Sequence, residues 1–250
     1  MPGQILICND DGFDAPGIQV LEEALAPLAD VFVVAPDTQQ SASSHSLTLR
    51  RPIGFKRVGE RRFRVEGTPT DCVVLALQVV LDRKPDLVVS GINHGPNMGE
   101  DVHYSGTVAA AFEGAILGVP SIAFSALQRS VADVETHTRL VRRIVESALE
   151  RGLPPQTVLN VNIPDPSVGA IKGLRITKLG SRVYENFIDP PAGGELRDHY
   201  TIGGKQPVWR DDDGSDIAAV RMGYVSVTPL DFDLTDYKAI VDMERWRFEL

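Results

Sequence analysis

Cysteine is scarce in this chain, with two residues in 250, Cys8 and Cys72. Each lies in an apolar run (Ile-Leu-Ile-Cys and Asp-Cys-Val-Val-Leu-Ala-Leu), so two buried free thiols are expected rather than a disulfide framework. Free thiols point to a reducing compartment, and the cytoplasm is the expected location. Long apolar runs are missing as well. No stretch approaches the roughly 20 residues that span a bilayer, and Gln4–Cys8 reads as a short strand, not a secretory leader. No membrane association is expected. Basic charge is in deficit, 25 Lys and Arg against 34 Asp and Glu, for a net charge of -9. Such a chain lacks the electrostatics of a protein lying along a nucleic-acid backbone, so no nucleic-acid polymer is expected as partner. A small anion is still a possible ligand where a cation or helix N-terminus supplies local positive potential. Familiar signatures are also absent: no Gly-x-x-x-x-Gly-Lys-Ser/Thr, no Gly-x-Gly-x-x-Gly after the first strand, and no Cys-x-x-Cys. The five histidines (45, 94, 103, 137 and 199) lack helical zinc-site spacing.

The first half of the chain instead alternates strand and helix patterns. Gln4–Asn9 reads as a strand. Gly17–Leu28 follows as an amphipathic helix behind Pro16, with Ile18, Leu21, Leu25 and Leu28 on one face. Asp30–Ala35 is the next buried strand, and Ile53–Lys56 with Arg62–Glu66 forms a hairpin about Gly59. Thr68-Pro69-Thr70-Asp71 is a capping-box start for a helix over Cys72–Leu81. Asp86–Ser90 is a strand feeding a long Gly/Asn loop over 91–104. Ser105-Gly106-Thr107 then opens a small-residue helix that Gly118 stops. Ser121–Ser125 and Val158–Ile163 read as strands around an amphipathic helix marked by Val134, Leu140, Val141, Ile144 and Ala148. This alternation implies an α/β, Rossmann-like, mostly parallel sheet flanked by helices. Ligands of such sheets bind beyond the carboxyl ends of the strands, which selects the loops 9–15, 36–46 and 91–107.

After residue 165 Pro and Gly become frequent, and helical periodicity fades. Arg175–Leu179, Ile217–Val220 and Tyr224–Thr228 read as strands. Residues 182–215 are too long for a loop and too aromatic for a free linker, so an extended arm or hairpin packing on another subunit is expected. The division expected is a catalytic core over 1–165 and a β-rich segment over 166–250 that completes the core and carries the oligomer interface.

Three segments carry candidate chemistry. Asn9-Asp10-Asp11-Gly12 ends the first strand with two adjacent carboxylates, which repel unless a cation or hydrogen bonds compensate. A turn at Gly12 lets both reach one site, where hard oxygens suit Mg²⁺, Mn²⁺ or Ca²⁺; a solvated Asp-Gly turn is the plainer reading. Ser90-Gly91-Ile92-Asn93-His94-Gly95-Pro96-Asn97-Met98-Gly99 offers flexible backbone and neutral oxygens, and it leads into Tyr104-Ser105-Gly106-Thr107. The unpaired amides at that helix start make an anion seat, with Ser105 also a natural N-cap. Gln40–Ser46 is serine-rich without a nucleophile elbow, so it is either a solvated loop or the source of one further metal-binding oxygen. His94 and His103 lie near these loops, while His137 and His199 read as surface residues.

Taken in order, Asn9–Gly12, Ala15-Pro16-Gly17-Ile18, Gly67-Thr68-Pro69-Thr70-Asp71-Cys72-Val73, Ser90–Val102, Tyr104-Ser105-Gly106-Thr107-Val108 and Gly223–Leu230 closely resemble the survival protein SurE family. The likeness spans roughly residues 4 to 230. The resemblance implies a cytoplasmic 5'- and 3'-nucleotidase with one divalent cation, Mg²⁺ or Mn²⁺, per subunit, and in some members activity on polyphosphate. It implies a metal shell of Asp10, Asp11, Ser41 and Asn93, with Asn97 and the Ser105-Gly106-Thr107 turn holding phosphate. Catalysis would rest on Asp10, Asp11 and Asn97, with metal-activated water as nucleophile. It further implies a homodimer or homotetramer that exchanges C-terminal elements. One departure stands out: the family usually has glycine after the metal-binding serine, where this chain has Ala42.

Overall fold

The computed structural model describes residues 3–127, 134–183, 188–189, 201–202, 208–210 and 212–246. The elements, in chain order, are β1 (Gln4–Cys8), α1 (Pro16–Leu25), β2 (Asp30–Pro36), β3 (Phe55–Arg57), β4 (Arg62–Val65), α2 (Pro69–Leu75), β5 (Leu87–His94), α3 (Gly106–Ile116), β6 (Ser121–Ala126), α4 (Val134–Arg151) and β7 (Thr157–Ile163). They continue with β8 (Leu174–Ile176), β9 (Ser181–Val183), β10 (Ile188–Asp189), β11 (Thr201–Ile202), β12 (Val208–Arg210), α5 (Asp216–Arg221), β13 (Val225–Asp231) and α6 (Tyr237–Met243). Nine strands form one sheet in the order β3-β4-β2-β1-β5-β6-β7-β13-β8. The run from β4 to β7 is parallel throughout. The antiparallel pairings in this sheet are β3 with β4 and β13 with β7.

Strand side chains alternate between the faces of the sheet, and each face meets its own pair of helices. Ile5 and Ile7 of β1 pack with Ile18 and Leu21 of α1 and with Val141 and Val145 of α4. Leu6 and Cys8, one residue out of phase, pack with Cys72 and Val73 of α2 and with Ala110 of α3. Both thiols are free and buried, as expected. Burial pushes the Cys72 thiol up. Such inert sulfurs behave as small apolar groups.

Local chemistry explains the element starts. Pro16 occupies the first turn of α1, where its missing N–H costs nothing. Thr68 and Asp71 close a reciprocal capping box on α2. Ser105 accepts from the Val108 amide and caps α3.

Several readings from the sequence need correction. The helix expected over Cys72–Leu81 starts at Pro69 as α2, and a π turn takes over across Ala76–Val80. The strand expected to end at Ser90 continues through His94 as β5, so the first four residues of the expected Gly/Asn loop lie in the sheet. Ile217–Val220, expected as a strand, is instead the core of α5, because the Ser215 hydroxyl accepts from the Ala218 amide and starts a helix. His137, expected at the surface, is fully buried in α4. His199 lies outside the described residues.

The sheet does not stop at residue 165, since β13 and β8 extend it at the β7 edge. Within the expected arm, β9 pairs antiparallel with β12, and β10 with β11. The remainder of 182–215 is largely outside the described residues. α6 buries none of its residues. Among the described residues no helix is long and apolar enough to cross a membrane.

Candidate active site

The carboxyl ends of β1, β5 and β6 and the first turn of α3 meet at one rim. Asp10, just beyond β1, is buried at 6% exposure. Its Oδ1 accepts from the Thr107 hydroxyl. Its backbone carbonyl accepts from the Gln40 amide at 2.7 Å, which brings the serine-rich loop to the same point. Gly106 stands directly against this carboxylate: a Cβ there would lie 2.9 Å from Asp10 Cβ, 3.1 Å from Asp10 Oδ2 and 2.6 Å from Ser43 Oγ. The acid is therefore seated under the N-terminal turn of an 11-residue helix, the end that favours negative charge.

Asp11 follows at the same rim, close enough for its charge to act on Asp10, and its Oδ2 accepts from the His94 amide at 3.0 Å. Gly12 closes the turn that follows with φ +102, a conformation an L side chain rarely adopts. Asn9 stabilises the same turn by donating to the Gly12 carbonyl at 2.9 Å. A recess of about 330 Å³, lined in part by Asp11, Phe13, Gln39 and His94, opens beside it.

Asn93 lies at the end of β5 and donates its Nδ2 to the Gly95 carbonyl at 2.8 Å. Asn97 is held more elaborately. Its amide N–H donates to Asn162 Oδ1 at 2.8 Å, its carbonyl accepts from Asn160 and Asn162 at 2.8 and 3.0 Å, and its Nδ2 donates to Ser125 Oγ at 2.8 Å. Asn160, Asn162 and Ser125 are all fully buried. Ser125 is the register partner of Asn93 in the β5–β6 ladder, so Asn93 and Asn97 share one corner of the rim. Asp216 secures the far end of the same loop, accepting from the Gly99 amide at 3.0 Å and from the Gly180 amide at 2.8 Å. Burial raises this carboxyl above the usual carboxylate range.

At the start of α3 the groups are partly committed. The Thr107 hydroxyl and its backbone amide are both given to the Asp10 carboxylate, so an anion at this turn would have to compete with Asp10 for them. Ser105 Oγ accepts from the Val108 amide at 3.1 Å, which leaves the hydroxyl proton to donate. Ser41 is exposed, and its Oγ accepts from Gln39 Nε2 at 2.8 Å.

The donor set fits a hard divalent cation. Burial, opposed by the Thr107 hydrogen bond and reinforced by Asp11, lifts the Asp10 carboxyl from 3.8 to about 6. A carboxylate so disfavoured in its charged form calls for a positive neighbour. Among the described residues no three His, Cys, Asp or Glu side chains cluster. An ion here would therefore be held by the two acids and by neutral oxygens such as those of Ser41 and Asn93, which suits Mg²⁺ or Mn²⁺ rather than zinc.

Ala42 sits in the loop that carries Ser41, at φ +56. The backbone thus keeps the left-handed turn for which glycine is the usual residue. Holding an alanine there costs about 1 kcal/mol, partly offset by the larger unfolded-state entropy of glycine. Ala42→Gly should raise the melting temperature by about 2 °C with activity kept, as a thermal melt would read. A fall would contradict the assigned backbone.

The sequence reading missed four groups at this rim: Asn160, Asn162, Asp216 and the His45–Glu113 pair. His45 Nε2 lies 2.8 Å from Glu113 Oε2. A signal existed for the first two, because asparagine at i and i+2 in the apolar Val-Leu-Asn-Val-Asn-Ile places two amides on one face of a buried strand.

A mostly parallel nine-stranded sheet flanked by helices, with an acid pair beyond its first strand and a helix N-terminus against it, defines an α/β protein whose candidate site lies at the carboxyl ends of its strands. The family model described as Survival protein SurE matches residues 5–186. The chain belongs to the SurE family. It is 49% identical over 252 residues to a Myxococcus xanthus protein named 5'-nucleotidase SurE, covering 99% of this chain and 95% of that one. A protein of the same name from Gemmatimonas aurantiaca is 47% identical, over 97% of this chain and 98% of its own length. The crystal structure of the SurE protein from Aquifex aeolicus is similar with a TM-score of 0.86 and 45% identity, over 96% of this chain and 98% of that chain.

Proposed function

We propose that this chain is a 5'-nucleotidase: a metal-dependent phosphomonoesterase that hydrolyses nucleoside 5'- and 3'-monophosphates to nucleoside and phosphate, and also short polyphosphate. The observation that carries the reading is the buried carboxylate of Asp10 pressed against the first turn of α3. A cation at the acid and an anion at the helix start would there share one boundary. Relatives named 5'-nucleotidase SurE that align over nearly their whole length support the substrate class.

In this reading Asp10, Asp11, Ser41 and Asn93 hold one Mg²⁺ or Mn²⁺. The bound ion supplies Lewis acidity and offsets the negative charge of both the acid pair and the substrate. Water attacks the phosphorus directly, and one carboxylate of the pair holds the water and accepts its proton. The phosphoryl oxygens are met by the Gly106 amide, the Ser105 hydroxyl and the second Nδ2 proton of Asn97, with Thr107 released from Asp10 as the ion takes over that carboxylate. These donors are fixed by α3 and by the Asn160–Asn162 brace, so little reorganisation is needed as charge shifts. The enzyme works in the cytoplasm as a homodimer or homotetramer that exchanges C-terminal elements. α6 supports this, since Tyr237 and Trp246 on and beside it stand 65% and 60% exposed.

The test is a panel of nucleoside monophosphates and polyphosphate assayed with Mg²⁺, Mn²⁺ or chelator, beside calorimetry on stripped protein. Ion-dependent release of phosphate with uptake of about one ion per subunit is expected. Full turnover in chelator, or no ion uptake, would overturn the reading.

A further inference from the structure

We propose that His45, oriented by the buried Glu113, gives the proton to the departing ester oxygen of the nucleotide. The proposal rests on the phosphate seat assigned above. Ser105, Ala109 and Glu113 fall at i, i+4 and i+8, so they form one stripe along α3. The small Ala109 leaves space between the other two, and a helical side chain leans toward the N-terminus of its helix, here toward Ser105. An apolar cleft of about 700 Å³ runs along this stripe, lined by Ser105, Ala109, Phe112, Leu179, Leu230 and Phe232 among others. A monoester held by its phosphate at Ser105–Thr107 would direct its organic part into that cleft. Its bridging oxygen then lies at the Ser105 end of the cleft, whose wall His45 also lines.

The histidine is held in place. Glu113 is 7% exposed, and its Oε2 lies 2.8 Å from His45 Nε2. The neighbouring Ser44 donates its amide to the Tyr104 carbonyl at 3.2 Å and its hydroxyl to the His103 carbonyl at 3.0 Å. The backbone next to His45 is thereby fastened to the turn that precedes the phosphate seat, and the ring reaches from there to Glu113. The other ionisable groups facing it are His103 on its own side of the cleft, and Lys178 and Asp231 from the opposite wall. With Nε2–H given to Glu113, Nδ1–H is the transferable proton. As the water oxygen bonds to phosphorus, the phosphorus–ester oxygen bond breaks and its electron pair takes that proton, yielding the neutral nucleoside. The water's own proton goes to the acid pair, and exchange with solvent resets both groups.

A ribose alkoxide needs this proton, whereas p-nitrophenolate leaves unaided. His45→Gln and Glu113→Gln should therefore be compared on adenosine monophosphate and p-nitrophenyl phosphate under the same saturating Mn²⁺. For His45→Gln we expect kcat on the nucleotide to fall about 100-fold, within the usual range for a general acid, and the alkaline limb of its pH profile to disappear. Turnover of p-nitrophenyl phosphate should fall less than about threefold, and Glu113→Gln should lose roughly tenfold on the nucleotide alone. Equal losses on both substrates would mean that the pair only anchors the loop, and no loss on either would remove it from the reaction. The same selective loss in His103→Gln would reassign the donor. Should these variants fail to fold, the wild type decides: a series of aryl and alkyl phosphates should show little dependence of kcat/KM on leaving-group basicity, and a steep dependence overturns the proposal. A wild type inactive on every monoester would instead refute the parent reading.

Discussion

Asp10→Asn should cut nucleotide turnover by about 10³-fold and yet raise the melting temperature of the ion-free protein at pH 8. The two effects share one cause. Burial lifts the Asp10 carboxyl from 3.8 to about 6, so the folded chain favours its protonated form. A group with a raised folded value stabilises below the unfolded value and loses that contribution as pH climbs through the folded one. Between pH 4 and pH 7 the ion-free wild type should thus lose roughly 2 kcal/mol of stability from this carboxyl. Asparagine carries no charge to bury, and its Oδ1 still accepts from the Thr107 hydroxyl. The variant in chelator should melt several degrees higher at pH 8, with a flatter dependence on pH. Added Mn²⁺ should stabilise the wild type and leave the variant nearly unmoved, as expected when an ion binds only the native state with its charge intact. A variant that keeps a tenth of its turnover, or that melts lower than wild type in chelator at pH 8, would show that Asp10 is neither a ligand nor a strained acid.

Features of the fold were legible from sequence to different degrees, and the reasons differ from feature to feature. Strand–helix alternation was readable because Ile5-Leu6-Ile7-Cys8 is a short apolar run closed by Asn-Asp-Asp-Gly, while Ile18 and Leu21 after it are apolar at helical period. The Thr68–Asp71 capping box was readable because the interaction is local, closing over three residues. Ile217–Val220 was misread because a short apolar run has no period; the helix is decided by the Ser215 cap next to it. His137 was misplaced although it stands four residues before Val141 and eight before Val145, on the buried stripe of α4. The brace on Asn97 was not legible, since it joins residues 63 and 65 positions apart through contacts that only the β5–β6–β7 order creates. The His45–Glu113 pair, 68 positions apart, was hidden for the same reason. Residues that act in sequence clusters were visible; those that act by holding another residue in place were not.

The rim's dependence on close backbone approach predicts the second large effect. Gly106→Ala should lower kcat/KM for a nucleoside monophosphate by about 100-fold, the usual consequence of a displacement near 1 Å at reacting groups. The new methyl would sit 2.6 Å from Ser43 Oγ and 2.9 Å from Asp10 Cβ. The serine oxygen can rotate away at little cost. The aspartate Cβ has no such freedom, because Asp10 stands two residues beyond the end of β1, where Cys8 is paired in register with Ser90, and its carbonyl is bonded to the Gln40 amide. Either the first turn of α3 lifts or the carboxylate shifts, and both separate the cation site from the phosphate amides. Overpacking of this kind costs about 1–3 kcal/mol, so the fold survives while Mn²⁺ affinity and turnover decline together. The double variant Ser43→Ala, Gly106→Ala discriminates between the two contacts. If Asp10 is the obstacle, relieving the serine leaves activity low, whereas recovery to near wild type would mean that Gly106 makes room for Ser43 alone and that the spacing between acid and helix matters less than the geometry implies.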